Sequence, residues 1–230
     1  INVTGSLNMT GDGTLEATSG TIAMDAAVTN EGSGTETLTL ITNNAVTQAD
    51  TAGIAVDQLA LQGTGTFTLD DADNAIRLLA AGTSGEAEQR TGALTIASTG
   101  EMTVGTISST QSGILASGAV DLSVADGVLA IDQAIETQNT FDDGGSESLG
   151  TLSLTATGDS GLIELAADLD SGAKQTYTGN TKLTGNVAMD ASDGDIEFAG
   201  SMTNDGSGTE VLSLTTDGMV TQSGTMAVDG

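Results

Sequence analysis

VTNEGSGTETLTLITNNAVTQ fills residues Val28 to Gln48, and MTNDGSGTEVLSLTTDGMVTQ fills Met202 to Gln222. With Thr178 placed on Thr4, the two copies run without a gap from Thr-Gly at 4 and 178, through Thr-Gly at 10 and 184, to Val-Thr-Gln at 46 and 220. They then differ by two residues before Ala-Val-Asp at 55 and 227. Thr178 lies 174 positions after Thr4, so residues 1–174 form one long unit and 175–230 begin the next copy, on a continuous rod with no true boundary. Such a sequence is expected to sample a longer array of the same unit.

A weaker pattern lies inside the unit. LTLITNNAVTQADTAGIAVD from Leu38, LTIASTGEMTVGTISSTQSG from Leu94, LSLTATGDSGLIELAADLDSG from Leu152 and LSLTTDGMVTQSGTMAVDG from Leu212 each read as strand, polar turn, second strand, turn. Strict alternation in Thr37-Leu38-Thr39-Leu40, Thr66-Phe67-Thr68-Leu69 and Leu152-Ser153-Leu154-Thr155 puts Leu or Phe on one face. That is the pattern of a half-buried strand. DADNAIRLLAAGTSGEAEQR is the one helix-like stretch, with Ala75, Leu78, Leu79 and Ala80 fit for a turn or two, but Gly82 and Gly85 interrupt it. The chain reads as all-β.

An element of about 20 residues cannot bury its apolar face alone and must stack on the next, which is the condition of one coil of a β-solenoid. About eight such coils, rising roughly 4.8 Å each, predict a rod of around 40 Å per unit. The alternative is a string of tandem β-sandwich modules. Those run to about 100 residues each, and a 174-residue unit with a short internal period fits them poorly. With Phe67, Phe141 and Phe198 the only phenylalanines, the core must be narrow and filled by stacked aliphatic side chains. The 32 glycines supply sharp corners. Leu38, Leu40, Leu152, Leu154, Leu212 and Leu214 are expected to point inward from parallel strands. The corner 29–36 is expected to place Gly32 and Gly34, like Gly206 and Gly208, in left-handed backbone.

Composition narrows function. There are 32 acidic residues against four basic ones, Arg77, Arg90, Lys174 and Lys182, giving a formal charge of −28 and a pI near 4.1. Nucleic acid and anionic lipid would both be repelled. His, Cys, Trp and Pro are absent and Tyr177 is the sole tyrosine. Without cysteine there is no disulfide framework or thiolate metal site, which suits either a reducing compartment or export in unfolded form. No apolar run reaches the roughly 18 residues of a membrane span, and INVTGSLNMTG at the start has no signal-peptide character.

QTYTGNTKLTGNVAMDASDGDIEFAGSMTNDGSG from Gln175, LSLTTDGMVTQSGTMAVDG from Leu212 and VDQLALQGTGTFTLDDADNAIRLLAAG from Val56 resemble the repeats of filamentous-haemagglutinin-type large exoproteins. The resemblance touches most of the chain through short, degenerate motifs. It implies a right-handed parallel β-helix, a place on the bacterial cell surface or outside the cell, and a role in adhesion or filament formation. It implies no catalytic residue. The close likeness of the two TN[ED]GSGTE copies points further, to duplication of a whole unit in a stalk of tunable length.

Candidate sites weigh little beside this. Asp190, Asp193 and Asp195 in DASDGD, and Asp70, Asp71 and Asp73 in DDAD, are weak calcium candidates. Solvated turns explain them more simply, and neither the calcium-binding nonapeptide nor the EF-hand spacing is present. GTGTFTL and GSGTE are turns, lacking the lysine and strand-to-helix junction of a phosphate loop. Four scattered basic residues and 2% aromatics offer little to a polysaccharide lyase or a glycosidase, so no enzyme activity and no cofactor are expected. The threonine motifs are too irregularly spaced for an ice-binding face. The sequons at Asn2 and Asn8 arise readily by chance in a threonine-rich chain.

The expected function is a structural shaft segment of a giant secreted or surface protein. Its expected partners are neighbouring copies of the repeat, in the same chain or end to end, and a ligand on a host or neighbouring cell; nucleic acid and direct membrane insertion are excluded. The alternative is a carbohydrate- or protein-binding module, with the polar loop 136–148 as its ligand-facing excursion.

Overall fold

A computed structural model describes residues 1–31, 35–85, 88–137, 149–206 and 208–228. The described residues contain strands and no α-helix. The strands stack in parallel as a β-solenoid with three faces.

The first face is a ladder of ten strands, from Asn2–Val3 and Ile22–Met24 through Leu94–Thr99 and Leu152–Thr157 to Ile196–Ala199 and Val220–Gln222. The second runs from Leu7–Met9 and Val28–Asn30 through Val128–Ile131 to Met202–Asn204 and Met226–Ala227. The third runs from Gly13–Ala17 and Thr37–Thr42 through Leu169–Ser171 to Val187–Ala191 and Leu212–Thr216. The second and third faces merge in Ile54–Gln62 and Ala75–Ala81, which round the corner as unbroken strands. Among the described strands the one antiparallel pair is the short hairpin of Thr106–Ser108 with Gln111–Ser112. Parallel pairing throughout the three faces excludes β-sandwich modules.

Alternation becomes columns. Ile22, Val46, Phe67, Leu94, Val120, Leu152, Gln175, Ile196 and Val220 occupy successive register positions on the first face. All but Val220 are buried. A second column carries Leu122, Leu154, Tyr177 and Phe198. The Tyr177 and Phe198 rings stack with centroids 4.8 Å apart and planes 16° from parallel. Leu38, Leu40, Leu152 and Leu154 are buried as expected, whereas Leu212 and Leu214 are half-buried, registering with Val187 and Met189 on one side and with no strand on the other among the described residues. The helix-like stretch proves to be strand Ala75–Ala81, because Ile76, Leu79 and Ala81 find Val56, Leu59 and Leu61 in register.

Backbones approach closely at the corners. At Gly200 a β-carbon would collide with the carbonyl oxygen of Gly179, and at Gly224 with that of Gly200, so one corner is a column of glycines. Gly206 and Gly208 adopt φ of 86° and 70°, the left-handed region expected of them. Their counterparts Gly32 and Gly34, like Phe141, lie outside the described residues.

Coil length corrects the expected dimensions. Ile22 registers with Val46, 24 residues on, but Val120 registers with Leu152, 32 residues on. The middle coils are longer than the first, and the hairpin at Thr106–Ser112 is part of the excess. Along the ten-strand ladder, Ile22–Met24 and Ile196–Ala199 are seven steps apart, so the 174-residue unit has seven coils instead of eight. At roughly 4.8 Å per step the unit rises about 34 Å.

The two copies fold alike, residue for residue. Leu7 pairs with Val28, and Thr181 with Met202; Gly13 pairs with Leu38, and Val187 with Leu212; Ile22 pairs with Val46, and Ile196 with Val220. Each pair in the second copy is the first shifted by 174. The corner bonds repeat too. Thr37 N donates to Asp12 Oδ1, and Val211 N to Asn186 Oδ1, both at 2.9 Å. Thr42 Oγ1 donates to Gly20 O, as Thr216 Oγ1 does to Gly194 O.

Candidate functional site

The chemistry inside this solenoid is concentrated in amides where inner columns meet corners. Gln48 ends an alternating strand, Val46 in, Thr47 out, Gln48 in, so its carboxamide points into the coil. Its Nε2 donates to Ala52 O at 2.8 Å and to Asn74 Oδ1 at 2.6 Å, while its Oε1 accepts Asn74 Nδ2 at 3.0 Å and Asp71 N at 3.2 Å. Asn74 is fully buried, and its Oδ1 also accepts Ile54 N at 2.7 Å. The network ties two successive coils through groups that would be costly to bury unpaired.

Gln175 interrupts the apolar column in the same manner. Its Nε2 donates to the main-chain oxygens of Leu169 at 3.1 Å and Asp190 at 2.7 Å, and its Oε1 accepts the Tyr177 hydroxyl at 2.6 Å. Full burial pushes the Tyr177 phenol well above its ordinary value. These amides were not among the expected sites. The signal was the inward place of Gln48 and Gln222 in the repeated Val-Thr-Gln.

The expected calcium candidates are built into turns. Asp71 is buried, with Oδ2 accepting Ala52 N at 3.1 Å and Oδ1 accepting Asp73 N at 2.7 Å, while Asp70 and Asp73 are exposed. Asp190 sits on Val187–Ala191 and accepts Ser192 Oγ at 3.4 Å. Asp193 is exposed in the following turn, and Asp195 Oδ1 accepts Met219 N at 2.8 Å. Among the described residues no three carboxylates gather as a metal group. Loop 138–148, most of the expected ligand-facing excursion, lies outside the described residues.

Each basic side chain meets an acid. Arg77 is 3.7 Å from Asp57, Arg90 is 2.9 Å from Glu88 and 2.7 Å from Glu136, Lys182 is 3.2 Å from Glu164, and Lys174 pairs with Glu197. Most of these pairs bridge neighbouring coils. The Lys174 ammonium is held above its ordinary value, chiefly by the hydrogen bond to Glu197 against some desolvation, with the charges of Glu197 and Asp195 adding. A shallow groove of about 360 Å³ beside Arg77 is lined by Asp57, Glu101 and Thr103 among others, and brings no second cation to its carboxylates.

The edge formed by Leu212–Thr216, Val220–Gln222 and Met226–Ala227 differs from everything inside the stack. Val220 is 45% exposed and Met226 48%, and the Gln222 Nε2 is shut away from solvent without a hydrogen-bond partner. No family model, curated protein or solved structure matches the chain.

Proposed function

We propose that this chain is a segment of the shaft of a long repetitive protein, a surface adhesin or extracellular filament of the filamentous-haemagglutinin type, whose task is reach and stiffness. The role is mechanical, and no residue is assigned to catalysis. What carries the reading is the register-for-register identity of the two copies seven coils apart. A unit that re-enters its own geometry after 174 residues can be added or removed without disturbing its neighbours, which makes it a device for setting length. Each coil covers the strand edges of the last, so stacking both builds the rod and hides its adhesive edges. The acidic surface supports the reading. On a rod, like charges spread along the axis and are screened individually, and the net charge discourages side-by-side aggregation of neighbouring shafts.

Antibody raised against the chain tests this on intact cells of the source organism by immunogold electron microscopy. The expected result is label along filaments projecting from the surface. Label confined to the cell interior would end the reading.

A further inference from the structure

Coil register corrects the irregular spacing of the threonine motifs. Thr68 and Thr95 are 27 residues apart, Asp121 and Ser153 are 32 apart, and Ser153 and Thr176 are 23 apart, yet all five stand in register in one outward column of the first face. Ala97, Ser123, Thr155 and Thr178 form the next column. Differences in coil length are taken up elsewhere, and the strands of this face meet without a slip. Of the 13 outward positions on Thr66–Leu69, Leu94–Thr99, Val120–Ala125, Leu152–Thr157 and Gln175–Thr178, ten are Thr or Ser and only Asp121 is charged. The other faces keep their charges, with Glu164 and Lys182 on the second and Glu136, Asp170 and Asp190 on the third.

Threonine is β-branched and stiff at χ1, so it holds a hydroxyl and a methyl group in fixed places and loses little freedom when a ligand orders it. Among the described residues, the hydroxyls of these two columns have no hydrogen-bond partner in the protein. They make a grid of roughly 4.8 Å between strands and 6.7 Å along them, and the oxygen rows of hexagonal ice recur at spacings close to both.

We propose that this face binds the surface of ice. Water held by the hydroxyls and ordered around the methyl groups takes lattice positions and joins the crystal. Charge selects this occupant. A carboxylate keeps a hydration shell that an ice lattice does not accommodate, so a chain at −28 that leaves one charge among 13 places on a single face has matched that face to an uncharged ligand. A second copy of the chain would bring its own −28 toward it. A polysaccharide sheet is also uncharged, but sugar rings are gripped by aromatic platforms, and Phe67, Tyr177 and Phe198 are all buried. The inference goes beyond the mechanical reading and needs only the fold.

The test is ice growth in a solution of the 230-residue chain, followed by microscopy in a nanolitre osmometer. The expected result is faceted crystals and a gap between the melting and freezing temperatures. Thr155→Tyr, in the middle of the face, should abolish both, whereas Thr203→Tyr on the second face should change neither; tyrosine suits an outward strand position, and circular dichroism reads the fold of each variant. Asp121→Thr removes the one charge from the column and should widen the gap about twofold, which keeps the proposal open to failure even if a tyrosine variant does not fold. Round crystals with no gap would overturn the proposal. So would a folded Thr155→Tyr chain as active as its parent, or an Asp121→Thr chain with a narrower gap. Retention on crystalline cellulose without any effect on ice would overturn it in favour of a polysaccharide surface.

Discussion

Residues 4–48 and 178–222 have the same strands in the same register, yet Val46 is fully buried and Val220 is 45% exposed. Gln48 makes hydrogen bonds to two neighbouring segments, and Gln222 leaves its amide nitrogen without one. Equal local sequence thus sets equal backbone, whereas burial and the energy that follows from it belong to the neighbouring coil. In a quasi-one-dimensional stack, stability is a sum of coil and interface contributions. The two copies differ in which side is covered, since Leu7 and Leu15 are half-buried where their counterparts Thr181 and Met189 are buried.

Truncating the stacked leucines should widen that difference most. Leu40 is wholly enclosed between Leu15 and Leu61, so Leu40→Ala leaves a cavity and should cost about 3 kcal/mol. Leu214→Ala removes the same atoms from a half-covered place and should cost about 1 kcal/mol. Urea unfolding of both variants measures the gap. Equal losses would mean that the outer coil contributes nothing to the first leucine.

The amides come next. Gln48→Ala strips partners from Asn74 and Asp71 and should destabilise by about 2 kcal/mol. Gln222→Ala removes a nitrogen that is buried without a bond, and should leave the midpoint unchanged or raise it. A large loss at Gln222 would reveal a partner that the comparison lacks.

How much of this could be read beforehand depends on what each residue's position is decided by. Thr37 to Leu40 and Leu152 to Thr155 announce themselves, because alternation and the pleat share a period of two. Corner glycines such as Gly206 and Gly208 are legible for the same local reason. The stretch around Ala75 is not, since its helix-like spacing yields to register with Ile54–Gln62, a contact distant in sequence. Coil number was misjudged because the short coils that the repeat displays are not the long ones between Phe67 and Leu152. Gln48 and Gln175 were missed because a glutamine is ordinarily a surface residue, and only the inward parity of their strands marks them as core.

The inner column supplies a finer contrast, since Tyr177 and Phe198 stand where the first copy has Val3 and Met24. Tyr177→Phe keeps the stacked rings but deprives Gln175 Oε1 of the phenol proton, and should cost about 1 kcal/mol. The phenol is raised well above 10.0 in the fold, so the folded state keeps its proton while the unfolded state loses it. Its contribution is therefore complete below the unfolded value and falls as pH rises beyond it. Phenolate absorbance from this single tyrosine should appear together with unfolding, and an earlier, independent titration would mean that water reaches the ring.

The smallest effect is expected where the copies differ in charge. Lys182 registers with Glu164 and lies 3.2 Å from it, whereas its counterpart Asn8 is uncharged and registers with Thr29. Lys182→Asn makes the second copy like the first. Both partners are partly exposed, so the loss should stay below about 0.5 kcal/mol. The variant also adds one unit of negative charge to a chain already at −28, which raises self-repulsion slightly. Both contributions are electrostatic and are screened together, so the gap between variant and parent should shrink as sodium chloride is raised, while both proteins gain stability. Thermal unfolding across a salt series reads both chains. A gap that salt does not close would assign the effect to packing of the lysine stem against its neighbours, and the contrast between the copies at this position would be one of shape and not of charge.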